Sequence, residues 1–147
     1  MINYFKAAER LLRERGNLEQ ALKNLEHRRE WIIRRGGPSE IMAADPARPH
    51  VSTSASADTI AECLDLVMVG KEITTTRETI ELIDRVLGQL SDDDAKLLKA
   101  WYITGETKEQ IAERFSYGSR TSIYDLRNKA ISRVAILYFG AGALPST

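Results

Sequence analysis

The sequence predicts an all-α protein, in which a helical coiled-coil arm precedes a unit of three to four helices. Apolar residues recur at steps of three and four along most of the chain, which places them on single faces of helices. Helix-start patterns precede several of these segments, and runs rich in glycine and proline interrupt them. Hydrophobic residues form 43% of the sequence and charged residues 29%, as expected for a folded globular protein.

Residues 1–36 supply the first part of the predicted arm. One helix is expected to end near Gly16 and a second to run from Leu18 to the glycines that begin at Gly36, although a single bent helix fits the same residues. The apolar stripe of the second pattern is narrow, as in a coiled-coil partner. Residues 37–57 contain three of the four prolines and many small polar residues, which predicts an exposed linker.

Residues 58–90 are predicted to form the second part of the arm, with a heptad-like seam that starts at Ile73. Two alternatives exist at Gly70 and the threonines at 74–76: the chain ends one helix and caps another there, or it continues as one long helix. A single helix needs packing that offsets the unfavourable helix propensity of glycine and threonine. An antiparallel partner in residues 18–35 would supply that packing.

Residues 91–139 are predicted to form the globular unit. Ser91 precedes three aspartates. The serine hydroxyl can cap a helix, and the aspartates place negative charge at the positive end of its dipole, so a helix is predicted to begin here. Thr107 and Gln110 have the spacing of a capping box that starts a short helix. After a turn, a longer helix is predicted to begin at Ser119. Its predicted apolar stripe is Ile123, Leu126, Ala130 and Val134.

A short helix, a turn and a longer helix that begins with polar and basic residues form the helix-turn-helix pattern. The second helix of such a pair can enter the major groove of DNA. Its side chains have suitable chemistry, since arginine pairs with guanine, asparagine pairs with adenine, and an acidic side chain accepts from cytosine. The alternative explanation of the same spacing is an ordinary helical hairpin with a solvated polar face.

Several features occur together between Leu90 and Val134: the SDDD sequence, Trp101 next to Tyr102, Gly105, the EQIAERF helix and the IYDLRNKAI sequence. In this combination the segment resembles region four of sigma-70-type factors and, more closely, phage transcriptional regulators of the ArpU/RinA type. The resemblance implies a sigma-like DNA-binding unit. It also implies a helical arm before that unit, which favours one long helix in the second part of the arm.

The resemblance places the family's base and backbone contacts on Arg120, Thr121, Ser122, Tyr124 and Asp125. Two departures limit what it implies. The turn sequence SYGS is one residue longer than the family's usual turn, and Ser122 and Tyr124 stand where the family often has basic residues. The DNA target therefore does not transfer from the family to this chain.

Charge is unevenly distributed along the chain. The formal net charge is zero, which taken alone argues against a nucleic-acid partner. Residues 1–36, however, hold nine Lys or Arg against five acidic residues, residues 37–106 hold six against thirteen, and residues 107–147 hold six against three. The basic excess at both ends agrees with a positively charged recognition segment.

These patterns predict a sequence-specific, sigma-like DNA-binding transcriptional regulator, and the resemblance implies a role at phage or prophage late genes. The predicted partner is double-stranded DNA, and the small number of cations predicts either a homodimer formed through the arm or dependence on RNA polymerase. The alternative is a protein-interaction adaptor that binds RNA polymerase or another regulator through the arm. The predicted DNA-binding set is Arg120, Thr121, Ser122, Tyr124, Asp125, Arg127, Asn128, Lys108 and Lys129.

Within this set, Arg120 and Arg127 are assigned to phosphates or guanine, and the uncharged side chains and Asp125 are assigned to base selection. The lysines are assigned to neutralising the phosphate backbone, a role that Arg114 and Arg133 are expected to share.

Other function classes have no positive support in the sequence. His27 and His50 have no Cys, Asp or Glu at metal-ligand spacing, and no P-loop, dinucleotide fingerprint or nucleophile elbow occurs, so no enzyme, metal or cofactor is predicted. Cys63 has no second cysteine to pair with, which suits a reducing cytoplasm. The resemblance implies a nucleoid-associated protein of a bacterial host. No membrane partner is predicted, because no apolar run approaches the roughly 20 residues of a spanning helix. Residues 140–147 are expected to form a frayed tail.

Overall fold

The computed structural model describes residues 2–35, 57–116 and 120–145, and its elements in these ranges are helices. In chain order the α-helices are α1 (Tyr4–Arg34), α2 (Ala57–Gln89), α3 (Asp92–Leu98), α4 (Lys108–Ile111) and α5 (Arg120–Phe139). Wider π-helical turns continue α3 over Lys99–Thr104 and α4 over Ala112–Ser116, and a 3-10 turn at Gly140–Ala143 follows α5. The predicted all-α class is confirmed. No helix among the described residues is long and apolar enough to cross a membrane.

Helix α1 is continuous through Gly16, so the predicted helix end at this residue is wrong and the single-helix alternative is confirmed. Gly16 is exposed, and nothing lies within 4 Å of the position that a Cβ would occupy there. Glycine costs a helix about 1 kcal/mol relative to alanine, and buried Leu12 and half-buried Leu18 on either side offset that cost by packing. The Asn17 amide donates to Glu14 Oε2 at 2.7 Å within the helix instead of ending it.

Helix α2 is a single helix of 33 residues, which confirms the favoured alternative for the second part of the arm. Gly70 lies inside it, and the Thr74 hydroxyl donates to the Gly70 carbonyl oxygen at 3.2 Å. Thr76 is buried, with 8% of its surface exposed, and it follows Ile73, which is 2% exposed, by three residues on the same side of the helix. The predicted linker at 37–57 lies outside the described residues apart from Ala57, where α2 begins.

The chain divides into two compact units, residues 19–78 and residues 1–18 with 79–147, which are called the arm unit and the core unit below. This grouping divides α1 and α2 differently from the predicted segments. Ala8 and Leu12, at the start of α1, belong to the same buried cluster as Ala130 of α5. The first turns of α1 therefore complete the core unit.

In the arm unit, α1 and α2 pack in antiparallel order around buried Ile32, Val69 and Ile73, with Leu22, Leu25 and Leu66 half-buried beside them. Two ion pairs show the direction of packing. Arg77 of α2 donates to Glu26 of α1 at 2.8 Å, and Arg28 of α1 donates to Asp65 of α2 at 3.1 Å. The later residue of α1 pairs with the earlier residue of α2, as expected for antiparallel helices. The predicted antiparallel partner for α2 is thus confirmed.

In the core unit, α1, α2, α3 and α5 meet in one apolar cluster. Its buried members are Ala8, Leu12, Ile83, Val86, Leu87, Leu98, Ala130, Ile131, Val134 and Ala135. A bidentate pair at its edge, from Arg15 to the two carboxylate oxygens of Asp84 at 2.7 and 2.8 Å, joins α1 to α2. This cluster is the scaffold on which α5 lies.

Replacing Leu98 with alanine is expected to lower the free energy of unfolding by about 2–5 kcal/mol, because the removed side chain leaves a cavity in this cluster. The matched control is Leu126→Ala on α5. The Leu126 side chain is 39% exposed, and its loss should cost less than about 1 kcal/mol. Urea denaturation followed by circular dichroism measures both variants, and equal losses would contradict this burial pattern.

Candidate nucleic-acid interface

Two predicted helix caps fix the start of α3 and of α4. The Ser91 hydroxyl accepts from the Asp94 amide at 3.2 Å. The Thr107 hydroxyl accepts from the Gln110 amide at 3.2 Å while the Gln110 side chain accepts from the Thr107 amide at 2.9 Å, so the capping box is complete. Between them, Gly105 adopts a left-handed φ of 75°, which ends the turn after α3 and lets α4 begin in a new direction.

A second apolar cluster of the core unit holds α4 and α5 against α3. Its buried members are Leu97, Ala100, Trp101, Ile111 and Ile123, and Tyr102, Ala112 and Phe115 pack around it. Leu97 and Trp101 pack in this cluster with Ile111 of α4 and Ile123 of α5. Leu98 is buried too, but it belongs to the first cluster.

Helix α5 begins at Arg120, one residue after its predicted start, and Ser119 lies outside the described residues. Ser122, Asp125 and Lys129 follow one another at steps of three and four, and all three are exposed. Asn128, beside them, is exposed as well, and its side-chain oxygen accepts from Arg127 at 2.9 Å. This exposed set is called the polar face of α5.

The structure does not describe every predicted site residue. Arg120 and Thr121 belong to α5 by their backbone, but their side chains lie outside the described part of the chain. Their assignment to DNA contacts stays a prediction.

The predicted apolar stripe of α5 is correct at Ile123, Ala130 and Val134 and wrong at Leu126. Leu126 is 39% exposed and lines an open cleft of about 380 Å³. The buried side of the helix passes through Arg127 instead, whose side chain is 20% exposed. A long arginine stem can cover apolar surface as a leucine does, and its charged head then needs a specific partner.

That partner is the indole ring of Trp101. The Arg127 guanidinium carbon lies 4.8 Å from the ring centre, and the Lys108 ammonium lies 4.2 Å from it. Tyr124 meets the same ring edge-on, with 5.3 Å between centroids and an interplanar angle of 73°. Two predicted DNA-binding cations and one predicted base-contacting residue therefore contact Trp101 in the free chain.

Glu9 of α1 contacts both Tyr102 and Arg127. The Tyr102 hydroxyl donates to Glu9 Oε2 at 2.8 Å, and the same oxygen lies 3.9 Å from Arg127 Nη1 and 3.4 Å from Arg13 Nη2. The Glu9 side chain is only 19% exposed, so water screens these charges less than at an open surface. Glu9 thereby links the first turns of α1 to α5.

The cations expected to neutralise phosphates differ in their surroundings. Arg114 donates to both carboxylate oxygens of Glu106 at 2.6 Å, and Arg133 donates to Asp94. Among the four cations Lys108, Arg114, Lys129 and Arg133, only Lys129 has no partner within the described residues. The polar face therefore has one unengaged cation beside the acidic Asp125.

Sequence reasoning missed Glu9 and did not predict that Arg127 packs on Trp101. The signal for Arg127 was its spacing, four residues after Ile123 and three before Ala130, which places it on the buried side of the helix. Leu126 was chosen for the stripe because it is apolar. Nothing in the local sequence marks Glu9, whose role comes from the packing of α1 against residues about one hundred positions away.

Comparison of the chain with protein-family models, with curated proteins and with solved structures finds no match. Inference about function therefore depends on the residues themselves.

The alkaline stability of the core unit should depend on Tyr102. Burial of the phenol raises the pKa of Tyr102 well above its ordinary value, and the hydrogen bond to Glu9 raises this pKa further. Because the folded pKa exceeds the unfolded pKa, the contribution to stability is complete below about pH 10 and is lost as the pH rises further.

The difference in unfolding free energy between the native chain and Tyr102→Phe is therefore expected to be constant at neutral pH and to shrink above about pH 10. Urea denaturation at a series of alkaline pH values measures it. Subtracting the variant removes the contribution of Tyr138, whose pKa is also raised by burial. A difference that does not change with pH would contradict the buried position of this phenol.

Arg127→Ala is expected to lower the free energy of unfolding by about 1–2 kcal/mol, because it removes a stacked guanidinium and one partner of Glu9. Lys129→Ala is the matched control on the same helix, and it should change that free energy by less than about 0.5 kcal/mol. Thermal unfolding followed by circular dichroism compares them. Equal stability of the two variants would show that the Trp101 contact does not hold α5.

Proposed function

We propose that this chain is a sequence-specific DNA-binding transcriptional regulator, in which α4 and α5 act as a helix-turn-helix and the first half of α5 enters a major groove. The observation that supports the proposal is the division of α5 into two sides. Ile123 and Ala130 are fully buried, while Ser122, Asp125 and Lys129 are exposed on the same turns. The polar face thus offers hydroxyl, carboxylate and ammonium groups from a helix that its own core holds in place.

The roles within the polar face follow from side-chain chemistry. Lys129 contacts a phosphate, since an ammonium is a point charge without bidentate geometry. Asp125 accepts from a cytosine amino group, and Asn128 reads adenine after its side chain leaves Arg127. Arg120 and Thr121 keep their predicted roles at phosphate, guanine and base edges. Arg127 acts as a positioning residue, because it contacts Trp101 and Glu9 within the protein.

The electrostatic attraction of one chain to DNA is expected to be weak. Arg114 and Arg133 would have to exchange Glu106 and Asp94 for phosphates. The Glu106 and Asp94 side chains are only 18% and 13% exposed, so each exchange leaves a partly buried carboxylate without its partner, which costs free energy. Binding therefore depends on few phosphate contacts and on a second interaction, with another copy of the chain or with RNA polymerase.

By its resemblance, the protein is a sigma-like regulator of phage or prophage late genes that acts on the nucleoid in the cytoplasm of a bacterial host.

The alternative function, an adaptor for RNA polymerase or another regulator, has one supporting observation. Trp31 of the arm unit is 57% exposed, and it lines an open trough of about 480 Å³ with His27, Arg28 and Arg34 and without an acidic side chain. Tryptophan and arginine are the residue types that contribute most at protein interfaces.

The test of DNA binding uses fragments selected from a genomic pool by the full chain. Lys129→Ala should weaken binding to selected and random fragments alike and reduce the slope of log affinity against log salt by about 0.9. Asp125→Ala should instead change the preferred base at one position, with a discrimination of about 1–3 kcal/mol. Fluorescence anisotropy at several salt concentrations measures both effects.

The control is Lys99→Ala, an exposed lysine on the π-helical turn after α3, which should leave affinity and salt slope unchanged. Failure of the native chain to bind any fragment at low salt would refute the proposal and favour the adaptor. Equal effects of Lys99→Ala and Lys129→Ala would refute the assignment of the polar face.

A further inference from the structure

Helix α2 has an exposed apolar face within the arm unit. Its members are Ile60, Leu64, Val67 and Met68, which are 53%, 61%, 57% and 57% exposed. At about 100° of rotation per residue, these positions lie within about 100° of one another around the helix axis. Four large apolar side chains in adjacent turns form a continuous stripe, whereas singly scattered ones would need no explanation.

The opposite side of α2 is already occupied. Leu66, Val69 and Ile73 pack against α1 in the apolar cluster of the arm unit. Within the described residues of this unit, α1 is the only helix besides α2, and it covers only that side. A helix with apolar residues on two sides needs two neighbours to remove both sides from water.

The exposed face is also uncharged, because the nearby acidic side chains point elsewhere. The Asp65 carboxylate accepts from Arg28 at 3.1 Å, and Glu62 is half-buried beside a small depression that it lines with Arg28 and Trp31. The first charge along the stripe is Lys71, one turn beyond Val67. Two copies of the face therefore bring no like charges together along the length of the apolar residues.

We propose that this face of α2 binds the same face of a second copy of the chain, which makes the protein a homodimer held together through its arm unit. A two-fold axis needs one patch that is complementary to itself, and a neutral stripe of branched and flexible apolar side chains meets that condition. The proposal deepens the proposed function, since it names the surface through which a second DNA-binding unit is recruited.

The position of Lys71 selects the orientation of the two helices. In a parallel pair, the two Lys71 ammonium groups face each other across the seam and repel. In an antiparallel pair with the axis near Leu64, the two lysines lie at opposite ends, about 20 Å apart. The antiparallel pair is the favoured arrangement, and it forms a four-helix layer in which the α1 segments lie outside the α2 pair.

The small number of apolar side chains in the face indicates a dimer of moderate affinity. A standard interface involves about 20–30 residues on each partner, whereas this face presents four large apolar side chains. Four side chains supply the apolar centre, and polar residues of the neighbouring turns form the rim. Dissociation on dilution is therefore expected within the range that sedimentation experiments cover.

Sedimentation equilibrium of the full chain, without DNA, tests the proposal. The native chain is expected to reach twice its monomer mass of 16.5 kDa at high concentration and to dissociate on dilution. Leu64→Glu places a charge at the centre of the face and should leave a monomer at all concentrations. Leu144→Glu, at a leucine of the core unit that is 58% exposed, is the matched control and should dimerise as the native chain does.

A native chain that remains monomeric at every concentration would overturn the proposal, and so would a dimer that Leu64→Glu leaves intact. If the glutamate variant loses helical signal, the native chain still decides, because the midpoint of thermal unfolding of a true dimer rises with protein concentration. Lys129→Ala should keep the mass of the native dimer. Loss of DNA binding and loss of dimerisation are thus distinguishable failures.

Discussion

Burial of Ile123 and Ala130 determines how α5 is rotated on the core unit, and the contact between Arg127 and Trp101 supports the same rotation. With the guanidinium carbon 4.8 Å from the centre of the indole ring, position 127 faces inward together with Ile123 and Ala130. A helix advances about 100° per residue, so this inward position turns Ser122, Asp125 and Lys129 to the solvent. The residues exposed on the polar face therefore follow from which side of α5 packs on the core unit.

The same contact connects distant parts of the chain. Trp101 belongs to the segment after α3, Arg127 to α5 and Glu9 to α1, and the Glu9 carboxylate lies close to Arg127 and hydrogen-bonded to Tyr102. Removing one member leaves another polar group partly buried without its partner, which costs more than the pair contributes when it is complete. The core unit thus holds α5 by a network that includes Glu9 in the first turns of α1.

Local rules predicted the parts of this fold that local interactions decide. The caps at Ser91 and Thr107 formed as their spacing requires, because each needs only a side chain and a backbone amide three residues away. Helix periodicity likewise located α2. The error at Gly16 arose because a glycine in an exposed position weakens a helix by an amount that distant packing can offset, and spacing does not report that packing.

The candidate site was less predictable, because hydrophobicity alone did not separate the two sides of α5. Leu126 is apolar and exposed, while Arg127 is charged and largely buried, and only the presence of an aromatic ring at the right place makes that exchange favourable. The same holds for Lys108, whose ammonium lies over Trp101. Cations counted from sequence thus overstate the charge available to a partner.

The polar face of α5 carries little positive charge, so the proposed DNA binding depends on the proposed dimer contact through the apolar face of α2. In the proposed complex with DNA, the Asp125 carboxylate would repel phosphates and favour a specific base, so it would contribute to selectivity at the expense of affinity. An arginine that moved to a phosphate would leave Asp94 or Glu106 without its partner, and these carboxylate side chains are only 13% and 18% exposed. Under the proposed function, a chain built in this way would bind DNA firmly only when a second contact raised the effective concentration of the first. The proposed dimer through Ile60, Leu64, Val67 and Met68 would supply that contact with apolar surface, which salt does not screen.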